Sequence, residues 1–137
     1  MSAIDLALPR LKVEEGFRSR MYVDTQNKKT IGFGFNIDAG ITPYAAEELL
    51  RAQIQERHEA LEVYGWYQAL DEPRQAVLID ISFNAGLSGL VNGFPKMIEA
   101  ITQRNWTEAA AECQVQNPEL AGRYAKNAHV LLTGEFA

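Results

Sequence analysis

Cysteine is almost missing from this sequence: Cys113 is the only one in 137 residues, so no intrachain disulfide can form, and no Cys/His cluster with zinc-ligand spacing surrounds it. A disulfide scaffold and a structural zinc site are excluded, and Cys113 reads as a small apolar packing residue. No run approaches the roughly 18 consecutive apolar residues that a membrane span requires, which argues against stable membrane insertion. Met1 to Pro9 carries an acid where a signal peptide carries Lys or Arg, and Pro9 breaks an already short apolar stretch, so no signal peptide is expected. A basic excess is lacking too. Thirteen Lys and Arg face 18 Asp and Glu, for a net charge of -5 and a pI near 5.0, which weighs against nucleic-acid binding because phosphates require a basic face. The two histidines, His58 in an exposed-looking acidic helix and His129 near a helix end, do not read as metal ligands.

What remains is 47% apolar and 23% charged with mean hydropathy -0.21, the composition of one ordinary globular domain. A chain of this length buries about two-thirds of the surface exposed when unfolded, enough for a core without staples. The charge is uneven. Residues 1–40 hold six basic against five acidic residues, residues 43–72 two against seven, and residues 73–137 five against six. The acidity therefore belongs to the middle of the chain.

Periodicity divides the sequence. Ser2 and Asp5 open a helix that carries Ile4, Leu8, Leu11 and Glu15 on one face, with Pro9 kinking or restarting it and Gly16 stopping it. From Met21 to Phe35 the period is two, and a polar turn, Thr25 to Lys28, predicts a β-hairpin. In its second strand Thr30, Gly32 and Gly34 share one face, opposite Ile31, Phe33 and Phe35. Thr42-Pro43 starts a helix running to about Val63, with Gly65 ending it. Asp71 opens a helix apolar on nearly all sides that stops at Gly86. Shorter helices follow over Phe94–Arg104, Asn105 to about Val115, and Glu119–Leu131. The fold class is α+β and mostly helical: a small hairpin lobe over about residues 15–41, a connecting helix over 42–64, and a helical lobe over 65–137 on which residues 1–14 pack. Trp66-Tyr67 reads as packing where the lobes meet rather than as a sugar platform.

Three polar residues stand out early: Glu15 at a helix end, Asp24 where a strand enters its turn, and Thr30 where the chain returns. Paired carboxylates in unlike environments suit glycoside hydrolysis, in which one donates a proton to the leaving oxygen while the other stays ionised. Glu15, beside an apolar stripe at the negative end of a helix dipole, suits the donor, although Arg18 and Arg20 can pair with it and oppose this. Asp24 beside backbone donors suits the carboxylate, and the two residues Asp24 and Thr30 can hold a water. Each also has a plain reading, as a solvated helix-terminal glutamate, a turn-former and a strand residue, and spacing alone leaves catalysis the minority reading. Gly32-x-Gly34 lacks the third glycine and the following helix of a dinucleotide fingerprint.

The stretch Glu15-Gly-Phe-Arg-Ser-Arg-Met-Tyr-Val-Asp-Thr25, followed by Thr30-Ile-Gly-Phe-Gly34, resembles the signature of the phage-type lysozymes, glycoside hydrolase family 24, the bacteriophage endolysins. The likeness continues more loosely through Phe83-Asn-x-Gly86, Gly93-Phe94, Asn105-Trp106-x-Glu-Ala-Ala110, Arg123 and Thr133-Gly134. It implies a two-lobe fold joined by a long helix and a muramidase cleaving the β-1,4 bond between N-acetylmuramic acid and N-acetylglucosamine in peptidoglycan, without a cofactor. The catalytic residues it implies are Glu15, Asp24 and Thr30. Arg123 falls on an arginine that pairs with the catalytic glutamate in relatives, and Asn36, Phe83, Phe94 and Arg123 are candidate substrate-binding residues. The resemblance further implies a bacteriolytic monomer made in the bacterial host cytoplasm and released to the wall through a partner pore, a holin. Phe35 departs from the pattern, since many relatives carry His there, and the small lobe is shorter than in larger members. The rival readings are a lytic transglycosylase, which ends in a 1,6-anhydro sugar, and a non-catalytic peptidoglycan-binding module.

Overall fold

The computed structural model describes residues 1–136, which fall into two compact units divided between Leu49 and Leu50. The first opens with helix α1 (Ala3–Glu15), whose start is a capping box: Ser2 Oγ accepts from the Asp5 backbone N–H, and Asp5 accepts in return from the Ser2 N–H at 3.1 Å. Pro9 neither stops nor splits α1, which continues through it to the expected cap, where the Gly16 N–H donates to the Lys12 carbonyl at 3.1 Å.

Strands β1 (Arg18–Val23), β2 (Lys29–Gly32) and β3 (Phe35–Asn36) form an antiparallel sheet in the order β1-β2-β3. The expected hairpin is therefore only the first half of the sheet. Its second strand does not run on to Phe35, because Gly32 and Gly34 take φ of 70° and 78°, a left-handed backbone open to glycine. The chain reverses at Phe33-Gly34 and returns as β3, pairing Ile31 with Phe35 and Thr30 with Asn36. Gly34 thus leaves the face it was expected to share with Thr30. A short 3-10 turn, Ile37–Ala39, follows, capped by Asn36 Oδ1 accepting from the Asp38 N–H at 3.0 Å.

Helix α2 (Pro43–Leu61) begins in the first unit and ends in the second, with Thr42 Oγ1 accepting from the Ala45 N–H as its sequence predicts. Gly65 opens α3 (Gly65–Gln68) rather than closing α2. Helix α4 (Glu72–Gly93) also outruns expectation: Gly86 adopts φ 78°, ψ 162° and kinks it, and the helix resumes beyond. By length and mean hydropathy (1.2 over 18 residues) α4 is apolar enough to cross a membrane, a property not visible as an unbroken apolar run; in the fold, Val77, Leu78, Ile81 and Leu90 are core.

Helices α5 (Pro95–Thr102), α6 (Trp106–Glu112) and α7 (Ala121–Thr133) complete the second unit. Helix α6 stops three residues short of Val115. Helix α7 is shifted two residues along, because Pro118–Leu120 forms a 3-10 turn capped by Asn117. The core of this unit joins Leu61, Tyr67, Leu78, Ile81, Met97 and Leu131, all essentially without exposure. Tyr67 is thus packing, and Trp66 lies partly buried against it.

Arg74 holds α7 in place. Its Nε and Nη2 donate to the Leu131 and Leu132 carbonyls, its Nη1 pairs with Asp71, and its guanidinium lies 3.9 Å from the Trp106 ring centroid. The last carbonyls of a helix have no partner within it, so a buried cation here satisfies them and complements the helix dipole.

Candidate active site

Glu15 is the last residue of α1, and the turn between β2 and β3 meets it. A Cβ built on Gly34 would lie 2.5 Å from Glu15 Oε2 and 3.1 Å from its Cδ, so the carboxylate rests directly on the Gly34 backbone. Around this contact Phe17 and Phe33 pack at 5.3 Å between ring centroids, and Lys12 Nζ lies 5.8 Å from the Phe33 ring. The second glycine of Thr-Ile-Gly-Phe-Gly is required twice: for its positive φ and for the space the carboxylate occupies.

Asp24 sits where β1 enters its turn. Its Oδ1 accepts from the backbone N–H groups of Gln26 (2.9 Å) and Lys28 (2.8 Å), its own N–H donates to the Lys28 carbonyl (2.9 Å), and Asn27 closes the loop with φ 62°. These are the backbone donors its position predicted. Thr30, only 4% exposed in the central strand, donates its hydroxyl to the Lys28 carbonyl at 3.0 Å. The peptide groups of Lys28 therefore bridge the two residues. Sequence reasoning missed Lys28, and no signal marks it, because its contribution comes from backbone that any residue there would supply. Asn36 lies opposite Thr30 across the β2–β3 pair. The first unit thus joins Glu15 to the β2–β3 turn, Asp24 to Thr30 through Lys28, and Thr30 to Asn36.

Residues 12–127 match the family model described as phage lysozyme. The chain belongs to the phage lysozyme family. Membership makes it a lysozyme-type glycosidase whose substrate is peptidoglycan.

The other candidates taken from the phage lysozyme resemblance lie in the second unit. Phe83 is partly buried beneath the Arg57 guanidinium, 4.2 Å from its ring centroid. Phe94 stacks on Tyr124, with centroids 6.0 Å apart and rings inclined by 11°, and packs against the core. Arg123 grips Asp80 through Nε (3.0 Å) and Nη2 (2.9 Å), and Asn127 donates to the same carboxylate at 2.8 Å. Partial burial raises the Asp80 pKa, but the hydrogen bonds from Arg123 and Asn127 and the Arg123 charge outweigh it, and the carboxyl lies below its ordinary value.

His58 is not on an open helix face as its sequence suggested. It is half-buried, with Nδ1 2.7 Å from the Tyr67 hydroxyl and Nε2 2.6 Å from Glu62. Burial, with the Glu62 charge adding to it, pushes the Tyr67 phenol up to about 12. Among the described residues no three His, Cys, Asp or Glu side chains are grouped to hold a metal ion.

Proposed function

We propose that this lysozyme-family chain is an endolysin muramidase that hydrolyses the β-1,4 bond between N-acetylmuramic acid and N-acetylglucosamine, with Glu15 as general acid. The observation that carries the reading is the seating of the Glu15 carboxylate on Gly34, where the second half of the signature is folded against the first. Glu15 protonates the glycosidic oxygen as the bond to the anomeric carbon breaks, and the sugar develops oxocarbenium character. Asp24, fixed by two backbone donors to Oδ1, supplies the compensating negative charge and draws the proton from the attacking water. The Thr30 hydroxyl donates its hydrogen bond to the Lys28 carbonyl, so its oxygen meets that water as an acceptor. A water held in this way attacks from the face opposite the leaving group, and the reaction inverts. Asn36, Phe83, Phe94 and Arg123 are proposed to contact the glycan.

The enzyme acts as a monomer, is made in the bacterial host cytoplasm, and reaches the wall after a holin opens the membrane. Mass spectrometry of digested peptidoglycan tests the chemistry. Muropeptides one water heavier than the 1,6-anhydro form, released first as the α-anomer by NMR, support inverting hydrolysis. Anhydro ends would establish a lytic transglycosylase instead, and intact glycan would leave only a wall-binding module.

A further inference from the structure

A general acid has to meet the glycosidic bond with its proton still on. A cation within ion-pair reach works against that, because it favours the charged carboxylate. The elements around Glu15 are rich in such cations. Lys12 stands one turn back on α1, at the i, i+3 spacing that lets helical side chains meet, and Glu14 is the immediate neighbour. Strand β1 and its turn bring Arg18, Arg20, Asp24, Lys28 and Lys29, whereas the turn from Gly32 to Gly34 brings no charge. Yet Glu15 forms no ion pair among the described residues. The two cations nearest to it in sequence are turned onto aromatic rings instead: Lys12 Nζ lies 5.8 Å from the Phe33 centroid, and Arg18 Cζ lies 4.5 Å from that of Tyr22. Phe33 immediately precedes Gly34, on whose backbone the Glu15 carboxylate rests, and its half-buried ring is fixed by packing on Phe17 at 5.3 Å. In the second unit Arg123 has its guanidinium on Asp80.

We propose that Phe33 is a positioning residue for the general acid, its ring holding the Lys12 ammonium aside and so denying Glu15 the ion pair that would draw off its proton. This rests on the reading of Glu15 as general acid and adds a residue that acts on it from outside the reacting set. A cation–π contact at an exposed site is weak, and so is an exposed ion pair between helical neighbours. Because the two are comparable, losing the ring is enough to tip Lys12 toward the carboxylate. Lysine suits such a choice, since its ammonium is a compact charge on a flexible four-carbon stem that can swing between a ring and a carboxylate. Arg18 stays on Tyr22 whether or not Phe33 is present, so Lys12 is the cation that the ring controls.

The test is the pH profile of the initial rate on dilute peptidoglycan sacculi, which follows kcat/KM and whose alkaline limb reports loss of the general acid's proton in the free enzyme. Phe33→Leu keeps an apolar side chain against Phe17 but removes the ring face. Freed of the ring, Lys12 favours the ionised carboxylate, so the alkaline limb is expected to move to lower pH by about half a unit at low salt, the scale of an exposed ion pair. At about 1 M salt, where screening acts within about 3 Å, the shift should vanish. Adding Lys12→Gln to Phe33→Leu should restore the wild-type limb, which repairing a packing defect would not do, and the backbone carbonyl of residue 12 still caps Gly16. An unmoved limb in Phe33→Leu, a loss of rate equal at every pH, or a shift that persists in the double variant would overturn the proposal and leave Phe33 to packing alone. A second measurement needs no variant. The ring current of Phe33 should move the ε-methylene protons of Lys12 upfield of those of Lys28 and Lys29, which lie over no ring among the described residues. Unshifted Lys12 protons would overturn the proposal as well. Retained lysis by Glu15→Gln would instead remove the general-acid reading on which it stands.

Discussion

At Gly34 one added methyl group decides where Glu15 can sit. The Cβ of an alanine would fall 2.5 Å from Glu15 Oε2, so the carboxylate must move or the turn must open. A displacement near 1 Å at a reacting group costs about a hundredfold in rate, and Gly34→Ala is expected to lose activity on that scale. Backbone strain at φ 78° adds a stability cost of about 1 kcal/mol, which has to be separated from the effect on catalysis. Gly40→Ala is the matching control, because Gly40 has φ 77° and a methyl group there would meet nothing within 4 Å. The two variants should melt at similar temperatures while only Gly34→Ala loses turnover. Equal activities would mean that Glu15 is not held where Gly34 places it.

Among the elements, α7 depends on groups distant in sequence. Arg74 reaches carbonyls 57 and 58 residues away while stacking on Trp106 from α6, and it is 9% exposed. Arg74→Met keeps much of the packing volume but leaves the buried carbonyls unpaired, and should cost about 2–4 kcal/mol in denaturant unfolding. Asp80 ties α4 to α7 through Arg123 and Asn127. Its folded pKa is depressed, so its contribution is complete above the unfolded value near 4 and is lost as pH falls through the lower folded value. Because the pair is over a third exposed, Asp80→Asn is expected to lower neutral-pH stability by only about 1 kcal/mol, with the difference from wild type shrinking below about pH 4. A constant difference across that range would place its cause elsewhere.

These elements also mark what the sequence made legible. The Ser2 and Thr42 caps, the helical order and the phage lysozyme family were readable, because caps, periodicity and the lysozyme signature are local. The third strand was not, since the alternation of Thr30 to Phe35 looks the same whether the glycines lie in a strand or reverse the chain. The continuation of α4 past Gly86 was hidden because glycine signals a stop and a kink alike. Arg74 and Lys28 were invisible for a common reason: their partners are backbone groups, which leave no mark in residue identity.

For the molecule as a whole, the net charge of -5 first reads as poorly suited to peptidoglycan, whose stems are anionic. Screening limits charge effects to about 8–10 Å at ordinary salt, so the slightly positive residues 1–40, which hold the proposed catalytic residues Glu15, Asp24 and Thr30, count for more than the total. The buried thiol of Cys113 reports on global integrity. Burial, with the Asp80 charge adding to it, pushes its pKa up to about 12, which keeps it protonated and unreactive in the native state. A thiol reagent should label it only as fast as the second unit unfolds; rapid labelling under native conditions would show that this core opens readily. The most direct measurement is the clearing of outer-membrane-permeabilised bacteria by wild type and by Glu15→Gln, with thermal melts run in parallel. The wild type should clear the suspension, and the variant should lose at least about a hundredfold in rate while melting within a few degrees of it. Retained lysis by Glu15→Gln would contradict the assignment of Glu15 as the general acid.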